Sequence, residues 1–238
     1  MAGHSKWANI QHRKGAQDKK RGNLFTKLAK EITIAAKLGD SNPDFNPRLR
    51  LAVAAAKKLS MPNDNIKRAI DKASAAGGGD DSITYEGYGP NQVAIMVETL
   101  TDNKNRTFSE IRAIFGKNGG NLGSEGSVAF NFERQGLIIY KNDIADFDTM
   151  FEAVVEAGAE NMEEEEGMYI ITCEVNELHN VFKALEEKFK GVDPEKCAPA
   201  WMPKMTVELD DEGHEKLAAF IEKIEENDDV QNVFHNAI

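Results

Sequence analysis

Cysteine occurs only twice in the 238 residues, at Cys173 and Cys197. Two distant thiols make neither a CxxC pair nor a metal cage nor a disulfide framework, which suits structural thiols in a reducing compartment. Long apolar runs are missing as well. The longest is six residues, Leu51 to Ala56, far below the roughly 20 that cross a bilayer, and the polar N-terminus offers no signal-peptide core. The expectation is a cytoplasmic protein with no membrane partner and no export. Catalytic signatures are also wanting: the sequence contains no GxxxxGK[ST], HExxH or GxSxG, and none of the five histidines stands at metal-ligand spacing to another. No enzyme, no metal and no cofactor is expected from such a chain. Its 41% apolar and 29% charged residues exclude collagenous and wholly disordered classes, and its length implies two or three domains.

A net charge of -11, if evenly spread, argues against a nucleic-acid partner. The charges are unevenly spread, however. Residues 1–76 hold 16 Lys+Arg against 6 Asp+Glu, a balance of +10, whereas 77–238 hold 13 against 34, a balance of -21. A basic part of this kind binds polyanions by releasing condensed counterions; the bland alternative is a solvated basic helical domain. The break coincides with Gly77-Gly78-Gly79-Asp80-Asp81, a run that cannot continue a helix and reads as a linker.

Residues 1–22 contain Lys6, Arg13, Lys14, Lys19, Lys20 and Arg21 against one acid, Asp18, with His4, Trp7 and His12 among them. The segment has no apolar periodicity, so it is expected to order on a partner. Trp7 either stacks on a nucleobase or pins the arm to the helices behind it. From Gln17 to Leu38 the residues Leu24, Phe25, Leu28, Ile32, Ala35 and Ala36 recur at helical spacing, and Gly39 supplies a stop. Lys20, Lys27, Lys30 and Lys37 fall away from that stripe as a basic ridge. Asn46-Pro47 opens a second helix to Leu59, and a third follows Pro62 to about Ser74. The result is a small all-α bundle with no turn signature strong enough to name a recognition helix.

In the acidic remainder, Val93–Val97 (strand), Thr107–Lys117 (helix) and Val128–Phe132 (strand) read as β-α-β, and Thr206–Leu209, Glu212–Asn227 and Val230–Phe234 read the same way. Two such units make a ferredoxin-like sandwich. Between them lies a second set: strand Gly136–Tyr140, helix Asp146–Ala157, strands Ala159–Glu164 and Met168–Glu174, helix Glu177–Phe189, strand Ala198–Met202. The fold class is therefore α+β multidomain: an all-α three-helix domain (1–76), a discontinuous α+β domain (80–133 plus 204–238), and a ferredoxin-like domain (134–203) inserted in it.

The glycine-rich stretch Gly116–Ser127 follows a helix and precedes a strand, the reverse of a phosphate loop, so a structural turn is favoured over a phosphate cradle. Thr101–Thr107 lies between strand and helix and reads first as a cap; Lys104 and Arg106 are secondary candidates for an anion or RNA contact. Glu163–Glu166 reads as a solvated edge strand or loop, or as a surface for a basic partner.

Ala2-Gly3-His4-Ser5-Lys6-Trp7, with Asn9-Ile10, His12-Arg13-Lys14 and Asp18, resembles the opening of the YebC/PmpR family, which includes the mitochondrial translational activator of cytochrome oxidase subunit I. Met61-Pro62 with Asn65-Ile66, Tyr85-Glu86-Gly87-Tyr88-Gly89-Pro90, Thr101-Asp102-Asn103 with Asn105-Arg106-Thr107, and Gly119-Gly120 to Gly126-Ser127-Val128 extend the resemblance along the whole chain. One departure is Asn91-Gln92, where the family pattern has a glycine before the Val-Ala-Ile strand. The chain opens directly on the family motif, which resembles a bacterial member. The resemblance implies three domains, one inserted in another, and a non-enzymatic regulator of gene expression. DNA-binding transcription regulation is the first expectation; a translation factor contacting ribosomal RNA is the alternative. The family motifs coincide with the basic arm. Lys6, Arg13, Lys14, Lys19, Lys20, Arg21, Lys27 and Lys30 are thus candidates for phosphate contact, and His4, Trp7 and His12 for base or sugar contact. The acidic domains are left for a protein partner.

Overall fold

Asn46 organises the helical domain. The computed structural model describes residues 21–74 and 81–238, and in it α1 (Arg21–Leu38), α2 (Pro47–Lys58) and α3 (Asn63–Ser74) pack around one core as a three-helix bundle. The Asn46 side chain accepts from the Leu49 amide at 3.1 Å, capping α2, and donates to the Ala35 and Asp40 carbonyls at 2.8 and 2.7 Å, closing the end of α1. A Cβ on Gly39 would meet the Asn46 amide nitrogen at 2.7 Å, so this corner requires glycine. Ile32, Ala35, Leu49, Ala52, Ala56, Ile66 and Ala69 fill the bundle core, the alanines letting the helices approach closely.

A first antiparallel sheet has the order β3-β1-β2-β8 and contains β1 (Asp81–Tyr88), β2 (Ala94–Thr101), β3 (Asn121–Leu122) and β8 (Val230–His235). On one face it carries α4 (Lys104–Lys117) and α7 (Asp211–Glu225), with Phe115 and Phe220 edge to face at 5.0 Å between them. A second antiparallel sheet comprises β4 (Phe132–Lys141), β5 (Asn161–Glu165), β6 (Met168–Cys173) and β7 (Lys196–Pro203) in the order β5-β6-β4-β7, backed by α5 (Phe147–Glu156) and α6 (Leu178–Lys188). Its β-α-β-β-α-β sequence is ferredoxin-like and interrupts the first sheet between β3 and α7. A helical domain followed by two α+β domains is the class the patterning implies.

Four elements of the discontinuous domain differ from the expectation, the shortest being the two-residue β3 inside the glycine-rich stretch. Val128–Phe132 is no strand of the first sheet: Ala129–Asn131 is a 3-10 turn, and Phe132 begins β4 in the other sheet. Val128 is apolar because it is fully buried between the sheets, not because it pairs. The longer strand overlooked is β1, whose alternation is broken by the buried carboxylate of Glu86 and by Gly87. Thr206–Leu209 contributes only a single parallel bridge, Val207 to Ala237.

The helix-free faces of the two sheets pack on each other. Ala94, Met96 and Phe234 from the first meet Leu137, Ile139, Ile170 and Ala200 from the second, with Val128 and Phe132 closing the layer. Arg134 of β4 pairs with Glu98 of β2 and lies over the Trp201 ring at 5.0 Å. Neither sheet therefore offers an open aromatic platform of the kind that stacks single-stranded bases.

Candidate nucleic-acid interface

The positively charged domain is docked on both acidic ones, and the docking decides which cations remain outward. Arg48 makes a bidentate pair with Glu31 inside the bundle at 2.7 and 3.2 Å. Arg50 pairs with Glu186 of α6, reaches Asp193 at 3.5 Å and lies over the Phe182 ring at 5.4 Å. Both arginines of α2 are thus structural.

Of the ridge read from α1, Lys37 is exposed as expected, Lys20 lies outside the described residues, and Lys27 and Lys30 have a different place from the solvent-facing one expected. Lys27 and Lys30 are half-buried. Lys27 donates to the Glu225 carbonyl at the end of α7, where the helix dipole favours a cation. Lys30 donates to the carbonyls of Leu100 and Asp228, each at 3.0 Å, and to the Asp229 carboxylate at 2.6 Å. Seven- and three-residue steps do place lysines off the apolar stripe; the sequence pattern does not reveal that this sector adjoins another domain.

Asp229 is the centre of the seam. Besides Lys30 it accepts from Thr107 Oγ1 at 2.6 Å and from Arg106 at 3.1 Å. Burial by itself raises a carboxyl pKa, but the hydrogen bonds from Lys30, Thr107 and Arg106 outweigh it and hold Asp229 at about 2. The Thr101–Thr107 turn behaves as a cap: the Asn103 side chain accepts from the Arg106 amide at 3.1 Å. Arg106 also reaches Asp102 at 2.8 Å, and Lys104 lies 3.4 Å from Asp81, so these two secondary candidates have acidic partners within the chain.

The glycine-rich stretch is a structural turn whose amides face an anion of the protein's own. Glu86 accepts from the backbone N–H of Gly126 at 2.7 Å and of Val128 and Ala129 at 2.8 Å. A phosphate would have to displace that carboxylate.

His4, Lys6, Trp7, His12, Arg13, Lys14, Lys19 and Lys20 lie outside the described residues, as does the side chain of Arg21. Within the described residues of the helical domain, Lys37 of the expected ridge is exposed, and four further outward cations were not singled out from the sequence. Lys57 and Lys58 close α2, and Lys67 and Arg68 stand in the second turn of α3, so the four flank the α2–α3 turn. All are exposed and engage no acid among the described residues. Their signal was available: they fall off the inward positions Ala56, Ile66 and Ala69. Arg68 further borders a groove of about 550 Å3 between the helical domain and the first sheet domain, with Phe25 and Ala29 of α1, Asn65 and Lys72 of α3, and Arg106 across from them.

Residues 5–76 match the TACO1/YebC protein N-terminal domain, and residues 81–237 match the TACO1/YebC second and third domain. The chain belongs to the TACO1/YebC family. The boundary between the two matched regions falls at the glycine run where the charge balance changes sign. A solved structure titled as a conserved hypothetical protein, Aq1575 from Aquifex aeolicus, is 43% identical over 98% of this chain and 97% of that chain, with a TM-score of 0.82. The YebC-family model for the second and third domain carries a transcription-regulator label. Among the described residues no helix is long and apolar enough to cross a membrane.

Proposed function

We propose that this YebC-family chain is a non-enzymatic, nucleic-acid-binding regulator of gene expression that engages DNA through its helical domain. The observation that supports it most is the exposure of Lys57, Lys58, Lys67 and Arg68 on either side of the α2–α3 turn, on a domain of charge +10, in a chain whose remainder carries -21. Such cations gain affinity by neutralising phosphates, while the acidic domains are repelled from the same polymer and keep the helical domain foremost. The arm of residues 1–22, contiguous in sequence with α1, supplies Lys6, Arg13, Lys14, Lys19 and Lys20 for further phosphates. The family's transcription-regulator label favours DNA.

Fluorescence anisotropy on a duplex across a salt series tests the reading. With about five phosphates neutralised, log affinity falls against log salt with a slope near -4, and Lys67→Ala with Arg68→Ala makes it shallower by about 2. A flat salt profile overturns it.

A second reading, ribosomal RNA as the ligand of a translation factor, is favoured by the groove beside Arg68. At about 550 Å3 it has the size of a pocket for a small ligand, suited to one or two nucleotides of a single strand and not to a duplex, with Phe25 within reach for stacking. Crosslinking sequenced on DNA and RNA together decides between the two: recovery of ribosomal RNA alone overturns the DNA reading.

A further inference from the structure

The outer face of α5 carries an apolar row with no counterpart in the domain that bears it. Phe147, Phe151 and Val155 follow one another at four-residue steps with relative exposures of 43%, 47% and 58%. Single exposed apolar residues are ordinary on a protein surface; three in line on one helix are not. The two rings are parallel, 6.1 Å between centroids at 9°, and Phe147 is braced edge-on by Tyr169 at 6.3 Å. The row is therefore held in place before any partner arrives. Met150, Ala153 and Val154 are the buried residues of the same helix, so the core is filled from another side of the helix than the one that carries the row.

Charge identifies the occupant. Asp148 and Glu152 form a second four-residue row, about 100° round the helix from the apolar one, and engage no cation among the described residues. On the other flank β5 is an edge strand, and its Glu164 pairs in register with Tyr169. Residues 132–203 hold 6 Lys+Arg against 17 Asp+Glu, a balance of -11. This surface repels nucleic acid. We propose that the α5 face of the inserted domain is a docking site for a basic amphipathic helix of a partner protein, its apolar side seated on Phe147, Phe151 and Val155 and its cations on Asp148, Glu152 and Glu164. The row spans about 12 Å at 1.5 Å per residue, two turns of a helix laid alongside.

The probe is a fluorescein-labelled peptide with leucine on one helical face and lysine on the other, titrated with the full chain at physiological salt. Saturable binding is expected, about tenfold tighter than to a scrambled peptide of the same composition, and weakened about tenfold by Phe147→Asp with Phe151→Asp. Asp148→Asn with Glu152→Gln, which removes no packed atom, weakens it several-fold and flattens its salt dependence. Equal affinity for the scrambled peptide, or binding unchanged in both double variants, overturns the proposal. So does sedimentation showing a wild-type dimer that the phenylalanine variant makes monomeric, since a second copy then covers the face, or displacement of the peptide by an oligonucleotide. Phosphate binding by the helical domain is untouched by these variants, so either reading can fail without the other.

Discussion

The ammonium of Lys30 lies 2.6 Å from Asp229 Oδ1 across 199 residues of chain, and the two side chains are 17% and 7% exposed. Removing one member of such a pair leaves the other buried and uncompensated. Asp229→Ala strands Lys30, Arg106 and Thr107 together, and a loss of about 3 kcal/mol is expected in urea denaturation. Lys204→Ala, at an exposed lysine, is the control and should change stability by no more than about 0.5 kcal/mol.

The same carboxylate sets an acid limit. Its pKa is lowered from 3.8 to about 2 in the fold, so the unfolded chain takes up the proton more readily than the native one. The stability it contributes is complete above about pH 5 and is lost as pH falls through 4 toward 2, a change on the order of 1–2 kcal/mol. Denaturation midpoints of wild type and Asp229→Asn measured between pH 7 and pH 3 should converge at the acid end; parallel curves would refute the assignment.

Glu86 offers a third test. Its two carboxylate oxygens accept from the backbone N–H groups of Gly126, Val128 and Ala129, and Glu86→Ala removes all three hydrogen bonds at once. A destabilisation of about 2–4 kcal/mol is expected, with hydrogen-exchange protection lost first at Val128 and Ala129.

Burial pushes the thiols up, Cys173 to about 11 and Cys197 to about 12. Neither ionises near neutrality, so a thiol reagent added to the native protein should label neither until the fold opens. Labelling of either within seconds at pH 7.5, without denaturant, would contradict this.

Helices and the inserted domain were legible because their signals are local. Asn46-Pro47 is a cap and a first-turn proline, and the structure starts α2 at Pro47 with Asn46 capping it. The run from Gly136 to Met202 alternates with periods of two and 3.6 that match the observed strands and helices of the second sheet. Legibility ended where a residue's role is set by something distant in sequence. Val128 looks like strand because burial selects it, while its amide goes to Glu86, 42 residues earlier. Lys27 and Lys30 look like free cations because nothing near them in sequence marks the carbonyl of Glu225 or the carboxylate of Asp229 as their partners. The outward cations Lys57, Lys58, Lys67 and Arg68 could have been found by subtracting the inward positions of α2 and α3; charge totals alone hide them.

Insertion of one domain into another also orders events during synthesis. Residues 132–203 contain every strand and helix of the second sheet, and its first and last strands pair at Phe132 and Pro203, so that domain can close while the chain is still emerging. The first sheet cannot: α7 and β8 follow the inserted domain in the chain. Asp229 belongs to that later stretch. Lys30 waits through 199 residues of synthesis before its partner exists, so the junction between the basic and acidic domains closes only after the inserted domain has been made.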